Sequence, residues 1–347
     1  MLEKEAWGVS GSGESVDRYT LKNASGAMVR LLTLGATVSE LWMPDRTGKL
    51  SDVVLGFDDA KQYDAGNVYF GCLVGRVAFR ITGARFTLDG QSHSLVKNKG
   101  EHHMHGGQVG FSRKIWTAEP VSDGPSPAVR MTLHSPDGDQ GYPGNLQVAA
   151  LFTLTEDNQL KIECTATTDR PTLVNLTHHG YFNLAGSGCG DILGHVLQMD
   201  VDRWITPKTP GGPADTILPV ADTPNDFSRP TAIGQRIRQI EGGYDFCFLR
   251  CGEDDGQLRR VATLQDPGSG RSLDVLTNQP ALVVYTGNYL TGLPGKRGEV
   301  YHKHAGVCLE TGRPPEAVHY PEFPSVVLRP DQTYRHTCIY RFSTCRG

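Results

Sequence analysis

Alternation of apolar and polar residues, interrupted by short turn sequences, is the feature that most constrains how this 347-residue chain folds. In segment 86–95 the alternation is interrupted by Asp89-Gly90, a favoured two-residue turn between antiparallel strands. Two longer segments, Leu146–Leu154 and Leu160–Thr168, flank the polar residues 155–159 and predict a second hairpin. A period of two is that of a half-buried strand, so the pattern favours antiparallel sheets.

Further strand-like segments follow one another along the chain, and helix is scarce. They are enriched in Val, Thr, Tyr and Phe, and they are Tyr19–Lys22, Ala27–Leu31, Leu273–Leu276, Ala281–Thr286, Gly306–Glu310, Ser325–Leu328 and Tyr334–Phe342. The 41 Gly and 21 Pro residues indicate many tight turns. The best helix candidate is Pro230–Ile237, in which Ile233 and Ile237 are four residues apart. No linker or repeat divides the chain, so we expect one all-β domain over residues 1–347.

The charge balance argues against two classes of partner. Lys and Arg total 34 against 38 Asp and Glu, a net charge of −4, so neither nucleic acid nor an anionic membrane is expected as a partner. The charged N-terminus Met1–Glu5 predicts no secretory signal, and we therefore expect a cytoplasmic protein. Most of the eight cysteines lie in apolar or strand-like segments, which favours reduced, buried thiols over a disulfide framework.

Histidines form two clusters, His102-His103-Met104-His105 and His178-His179. Surface or capping positions in polar turns are the common use of histidine. Neither cluster has the spacing of a zinc motif, so we predict no metal site. Adjacent residues of a strand point to opposite faces, so one histidine of each adjacent pair can serve a given site.

Charged residues inside strand-like segments are the second chemical signal. Glu310 follows the apolar run 305–309, where an unpaired carboxylate costs free energy. Such a residue belongs either to a structural ion pair or to a tuned functional group. Asp245 follows Gly242-Gly243-Tyr244 and is open to the simpler interpretation of a turn residue. Arg76 and Arg80 are either solvated or placed to hold hydroxyl or carboxylate groups.

These residues lie in motifs by which the chain resembles the aldose 1-epimerases, the galactose mutarotases. The resemblance extends over essentially the whole chain and keeps the family's order of motifs. The matching segments are 75–81 (GRVAFRI), 105–107 (HGG), 174–184 (VNLTHHGYFNL), 244–245 (YD), 277–280 (TNQP) and 309–311 (LET). Each motif alone is weak, whereas the ordered set is specific. The resemblance implies a large antiparallel β-supersandwich of the galactose mutarotase type, with very little helix and a cleft on one sheet.

The resemblance also implies roles for six residues. Glu310 corresponds to the general base and His179 to the general acid. The sugar-binding residues would be Arg80, His105, Asp245 and Gln279. Anomer interconversion removes a proton from O1 while the ring oxygen O5 is protonated, and closing the ring reverses both transfers. A carboxylate and an imidazolium suffice for this chemistry, so no cofactor and no metal are expected, and His179 is expected to be protonated at the start.

One position departs from the family pattern. Phe79 precedes Arg80 where the family usually has Asn, which removes an amide from the neighbourhood of the substrate. The departure bears on the preferred sugar and on efficiency rather than on the reaction. The sequence leaves open the choice among galactose, glucose and pentoses, the oligomeric state and the pathway.

Three alternatives remain at this point. A hexose-6-phosphate 1-epimerase of the same fold would need basic residues converging on the phosphate, for which Arg76, Arg85, Arg297 and Arg313 are candidates. A non-catalytic sugar-binding relative would be expected to lack Glu310 or His179, and both are present. A glycosidase would use Asp245 and Glu310 as a pair of carboxylates and would cleave glycosidic bonds.

Overall fold

A computed structural model describes residues 1–65, 68–208, 214–252 and 254–345. Its strands, in chain order, are β1 (Leu2–Val9), β2 (Ser15–Lys22), β3 (Met28–Leu32), β4 (Thr37–Pro44), β5 (Leu50–Asp52), β6 (Leu73–Val74), β7 (Arg80–Ile81), β8 (Arg85–Leu88), β9 (Gln91–Ser94), β10 (His103–Met104), β11 (Thr117–Ser122), β12 (Ala128–Ser135), β13 (Leu146–Leu154), β14 (Gln159–Thr168), β15 (Thr172–Leu173), β16 (Thr177–His178), β17 (Tyr181–Phe182), β18 (Val196–Met199), β19 (Val201–Pro207), β20 (Ala214–Pro219), β21 (Thr231–Ala232), β22 (Asp245–Arg250), β23 (Arg259–Gln265), β24 (Arg271–Thr277), β25 (Ala281–Tyr285), β26 (Leu293–Pro294), β27 (Val300–Tyr301), β28 (Val307–Gly312), β29 (Val327–Leu328) and β30 (Tyr334–Thr344). A short helix, α1, spans Ala60–Ala65, and 3₁₀ turns lie at Thr82–Ala84, Phe111–Arg113, Asp139–Gly141, Ile233–Gln235, Ile237–Gln239 and Lys296–Gly298.

Both predicted hairpins are confirmed. β8 and β9 pair around Asp89 and Gly90, whose φ angles of 49° and 78° are the left-handed values that a type I′ turn requires. β13 and β14 pair in register from Leu146 opposite Thr168 to Leu154 opposite Leu160. The strand β1 was not predicted, because its side chains are mostly exposed and it carries no apolar alternation.

The two largest sheets are antiparallel and share one hydrophobic core. The first has nine strands in the order β11-β12-β13-β14-β30-β24-β23-β18-β21, and the second has six in the order β17-β28-β25-β22-β19-β20. Leu282, Val284 and Leu309 of the six-stranded sheet join the same buried cluster as Phe152 and Tyr340 of the nine-stranded sheet. This face-to-face packing confirms the predicted all-β supersandwich.

The other face of the six-stranded sheet looks away from that core. Residues directly opposite each other on neighbouring strands point to the same face, and successive residues alternate. Glu310 of β28 is opposite Val283 of β25, and Val283 is opposite Cys247 of β22. We call the face that carries these three side chains the site face.

The predicted helix at Pro230–Ile237 is wrong. Thr231–Ala232 form β21, which pairs with β18, and two 3₁₀ turns follow it. The cause is tertiary: the N–H groups of Ile233 and Gly234 donate to the carbonyls of His195 and Leu193. Those donors are therefore unavailable to an α-helix, and the sheet edge outweighs the local helical spacing.

Within the described ranges, no helix is long and apolar enough to cross a membrane. All eight cysteines are unpaired, as predicted. Cys72, Cys164, Cys247, Cys308 and Cys338 are buried, whereas Cys189 and Cys345 are exposed.

Candidate active site

A cavity of about 430 Å³ opens on the site face of the six-stranded sheet. Five of the six residues predicted from the sequence line it, and these are Arg80, His105, His179, Asp245 and Glu310. They come from widely separated parts of the chain. Strands β22 and β28 supply the carboxylates, whereas short strands and the turns beside them supply the arginine and the histidines.

Glu310 is fully enclosed at the floor of the cavity. Its exposed fraction is 2%, and its Oε2 atom has no hydrogen-bond partner among the described residues. Burial raises the pKa of the Glu310 carboxyl well above its usual range, and the nearby Asp245 raises it further. Burial is the larger of these two influences on the group.

His179 faces Glu310 across the floor. It lies between β16 and β17, and its Nε2 atom is 3.6 Å from Oε1 of Glu310. The imidazole stacks on Tyr181, with ring centroids 5.2 Å apart and an interplanar angle of 16°. On its other side it stacks on Tyr69 at 5.6 Å and 21°. Two aromatic neighbours therefore fix the plane in which His179 presents Nε2.

The protonation of His179 differs from the expectation. Burial lowers the pKa of His179 to about 3, so the free imidazole is neutral at neutral pH. Burial also raises the pKa of Glu310, so both members of the pair are shifted towards their neutral forms. A buried site disfavours a separated imidazolium and carboxylate until a ligand supplies hydrogen bonds.

The neighbouring histidine points away from the cavity, as strand alternation predicts. The Nδ1 atom of His178 lies 3.1 Å from the hydroxyl oxygen of Tyr340, inside the shared core. Burial lowers the pKa of His178 to about 3. His178 is thus a neutral core residue, and His179 is the member of the pair that reaches the cavity.

His105 and Asp245 provide polar groups at the sides of the cavity. The backbone N–H of Phe79 donates to Nδ1 of His105 over 3.3 Å, so neutral His105 carries its proton on Nε2 and is a donor there. Burial raises the pKa of Asp245 to about 6, and the Arg80 guanidinium opposes this rise. Asp245 is therefore mostly ionised at neutral pH, when it accepts hydrogen bonds from hydroxyl groups.

Gln279 does not line the cavity. Its amide donates to Oδ1 of Asn278 at 3.1 Å and to the backbone carbonyl of Arg335 at 3.2 Å, in the connection between β24 and β25. The β25 residues on the cavity wall are Val283 and Tyr285, four and six positions further on. The geometry does not group Gln279 with the other five predicted residues, and its role in sugar binding stays a prediction that the geometry does not favour.

Sequence reasoning missed an aromatic wall. Tyr181 and Tyr285 pack edge to face at 5.9 Å, and Tyr285 stacks on Tyr289 at 6.1 Å and 24°. Tyr289 is 68% exposed at the mouth of the cavity. Tyr181 lies within the segment 174–184 that carried the resemblance, whereas the strand pattern gave no reason to assign Tyr285 or Tyr289 to a site.

Among the described residues, one cluster could hold a metal ion. His179, Cys308 and Glu310 each offer a ligand atom, and the three atoms lie within 4.8 Å of one another. The cluster contains both members of the proton-transfer pair. It takes His179 from the second histidine cluster and includes no residue of segment 102–105.

The four arginines considered for phosphate binding are not among the described residues that line the cavity. The Arg76 guanidinium is buried and donates to backbone carbonyls, among them those of Pro143 and Gly144. Arg297 pairs with Asp52, and Arg313 lies 3.4 Å from Asp254. Lys99 and Arg80 are the basic residues on the cavity wall within the described ranges.

The comparisons with known proteins agree with this geometry. Residues 17–341 match the aldose 1-epimerase family. The chain is 40% identical over 333 residues to the galactose mutarotase of Rattus norvegicus, covering 95% of each protein. It is 34% identical over 338 residues to the aldose 1-epimerase of Escherichia coli, covering 95% of this chain and 96% of that protein.

Among solved structures, the aldose epimerase homologue from C. elegans superimposes with a TM-score of 0.86 at 30% identity, covering 94% of this chain and 98% of that one. The chain belongs to the aldose 1-epimerase family. It is accordingly an isomerase, an aldose 1-epimerase with a small sugar as its substrate.

Proposed function

We propose that this protein interconverts the α and β anomers of free aldohexoses such as galactose and glucose, with Glu310 as general base and His179 as general acid. The observation that carries the proposal is the 3.6 Å approach of His179 Nε2 to Glu310 Oε1 at the enclosed floor of the cavity. A hemiacetal presents its O1 hydroxyl and its ring oxygen O5 on the same carbon. An acidic and a basic group that face each other can therefore exchange protons with both oxygens.

We infer that the pair itself supplies the proton needed for catalysis. When sugar binds, its O1 hydroxyl donates a hydrogen bond to Glu310, and O5 accepts one from His179. Both contacts favour the form in which His179 carries the proton and Glu310 is a carboxylate. Glu310 then removes the O1 proton as His179 protonates O5, and the C1–O5 bond breaks to give the open aldehyde. Rotation about C1–C2 followed by the reverse transfers gives the other anomer.

The remaining polar groups of the cavity would bind the sugar hydroxyls. Asp245 would accept hydrogen bonds, and Arg80 and His105 would donate them, away from the reacting oxygens. We propose further that residues 1–347 act as one cytoplasmic domain, with no nucleic acid, membrane, cofactor or metal in the reaction.

Proton NMR of freshly dissolved α-D-galactose and α-D-glucose tests the function. Catalytic amounts of protein should speed the appearance of the β-anomer signal above the spontaneous rate for at least one sugar. No acceleration with either sugar would contradict the proposal. The corresponding 6-phosphates and a methyl galactoside serve as controls, since a phosphate-specific epimerase or a glycosidase would act on these instead.

A further inference from the structure

The floor of the cavity beside Glu310 is apolar. Glu310, Val283 and Cys247 lie opposite one another on β28, β25 and β22, and all three line the cavity. Side chains directly opposite each other on neighbouring strands lie about 5 Å apart. Val283 and Cys247 are 7% and 5% exposed, and both belong to the buried cluster that contains Phe79.

The strand order of the six-stranded sheet fixes the sequence in which these side chains follow one another across the cavity floor. β17 and β25 flank β28 on opposite sides, and His179 immediately precedes the turn into β17. Across the floor the order is therefore His179, Glu310, Val283, Cys247. A pyranose with O5 at His179 and O1 at Glu310 has C2 as its next ring atom beyond C1. Its C2 edge then lies over Val283.

Val283 cannot recognise a hydroxyl group at that place. The Val283 side chain has no hydrogen-bond donor or acceptor. The Cys247 thiol is only a weak donor, and burial keeps it protonated by raising its pKa. Asp245 is two residues from Cys247 on β22, about 7 Å along the strand. A hydroxyl that keeps its water and has no partner in the protein gains nothing over a C–H group, whereas a site built to bond a hydroxyl strongly rejects an analogue that lacks it.

We infer that Val283, with Cys247 beside it, makes this enzyme insensitive to the hydroxyl at C2. This inference rests on the proposed function and on its assignment of O1 and O5. The substrate class then includes 2-deoxyaldoses, which are used about as well as their parent sugars. Val283 is a specificity-determining residue of the cavity floor.

The test compares kcat/KM for D-galactose and 2-deoxy-D-galactose, each corrected for its own spontaneous rate. The parent protein should give values within about threefold of each other, since no hydrogen bond distinguishes the two sugars. Val283→Gln places an amide beside C2 and should shift the ratio about tenfold towards galactose. Val283→Ile, the apolar control, should leave the ratio unchanged. Val283→Thr, nearly the same shape as valine, replaces the glutamine variant if that variant fails to fold.

The outcomes separate the inference from the proposed function. If the parent turns over galactose but uses 2-deoxy-D-galactose about a hundredfold less well, the inference is overturned and the proposed function stands. If the folded Gln or Thr variant keeps the parent's ratio, Val283 is not the determinant. If neither sugar is accelerated by the parent protein, it is the proposed function that fails.

Discussion

At the scale of single residues, two buried ionisable groups in this chain show how a structural group differs from a reactive one. The Lys296 ammonium group donates to the carbonyls of Ser39 and Val54 and to the Asp52 carboxylate, so its hydrogen bonds are filled by the protein. Glu310 is equally buried, but its Oε2 atom has no partner among the described residues. An unfilled acceptor that faces a cavity is placed to take a hydrogen bond from a ligand.

The first prediction concerns Glu310 itself. Glu310→Gln keeps the size of the side chain and removes the proton acceptor, so the variant should fold and bind sugar within about tenfold of the parent. Its rate of anomer exchange should fall by several orders of magnitude, measured by NMR, with thermal melts to check folding. An unfolded variant would assign Glu310 to a structural ion pair, and a near-parent rate would move the base to Asp245.

The second prediction separates the two adjacent histidines. His179→Gln should lower the rate about 100-fold or more, as loss of a general acid does. His178→Gln should cost far less activity, because His178 faces Tyr340 in the core, and its effect should appear as a lower melting temperature instead. Kinetics and melts of both variants measure this, and equal losses of rate would show that the acid is misassigned.

The third prediction is a pH dependence with a defined sign. The Asp245 carboxyl has a pKa of about 6, so it gains a proton as pH falls through that value and ceases to be an anionic acceptor. We expect kcat/KM to decline below pH 6 and to decline again in alkali, when the Glu310–His179 pair loses its remaining proton. The limb near pH 6 should be absent from Asp245→Asn. If that variant keeps the limb, another group is responsible for it.

At the scale of elements, the sequence predicts hairpins better than it predicts what faces a cavity. The hairpins β8–β9 and β13–β14 follow from local alternation and turn residues, which need no knowledge of the rest of the molecule. The register of β25 against β28 and β22 is not local. It places Val283 on the cavity wall and leaves Gln279 in the preceding connection, a distinction that a four-residue motif cannot supply.

Phe79 contributes to the packing between elements, because its ring lies in a cluster with residues of β19 and β25. It has a left-handed φ of 68°, lines the cavity and packs in the apolar cluster with Ile205 and Val283. Phe79→Asn should lower the free energy of unfolding by about 2 kcal/mol through lost packing, partly offset because Asn tolerates positive φ. Denaturant unfolding beside kinetics tests this. A melt like that of the parent would mean that the ring covers only Arg80.

At the scale of the whole molecule, the site is a product of long-range assembly. The all-β class follows from the strand pattern and the supersandwich from the resemblance to the family, but the cavity brings together residues from positions 68 to 316. The sequence alone named five of its polar groups through a resemblance to a family. It could not indicate that Glu310 and His179 would both be shifted towards their neutral forms, because that depends on the burial of both at once.

The last prediction concerns metal ions in the whole protein. The histidine-rich segment does not converge on one point: Nδ1 of His103 bonds the Val96 carbonyl, Nδ1 of His102 accepts from the Gly83 N–H, and Nδ1 of His105 accepts from that of Phe79. Of the described residues, the cluster that could bind a metal is that of His179, Cys308 and Glu310.

A cation at this cluster would occupy the lone pairs that the proton transfers need, so it should inhibit the enzyme rather than assist it. We therefore expect exhaustive chelation to leave the rate unchanged or to raise it, and added Zn²⁺ to lower it. Cys308→Ser removes the soft sulfur ligand and should weaken the inhibition by Zn²⁺. The rate of this variant without Zn²⁺ is measured as its control. A rate that chelation abolishes and added metal restores would show instead that a metal takes part in the reaction.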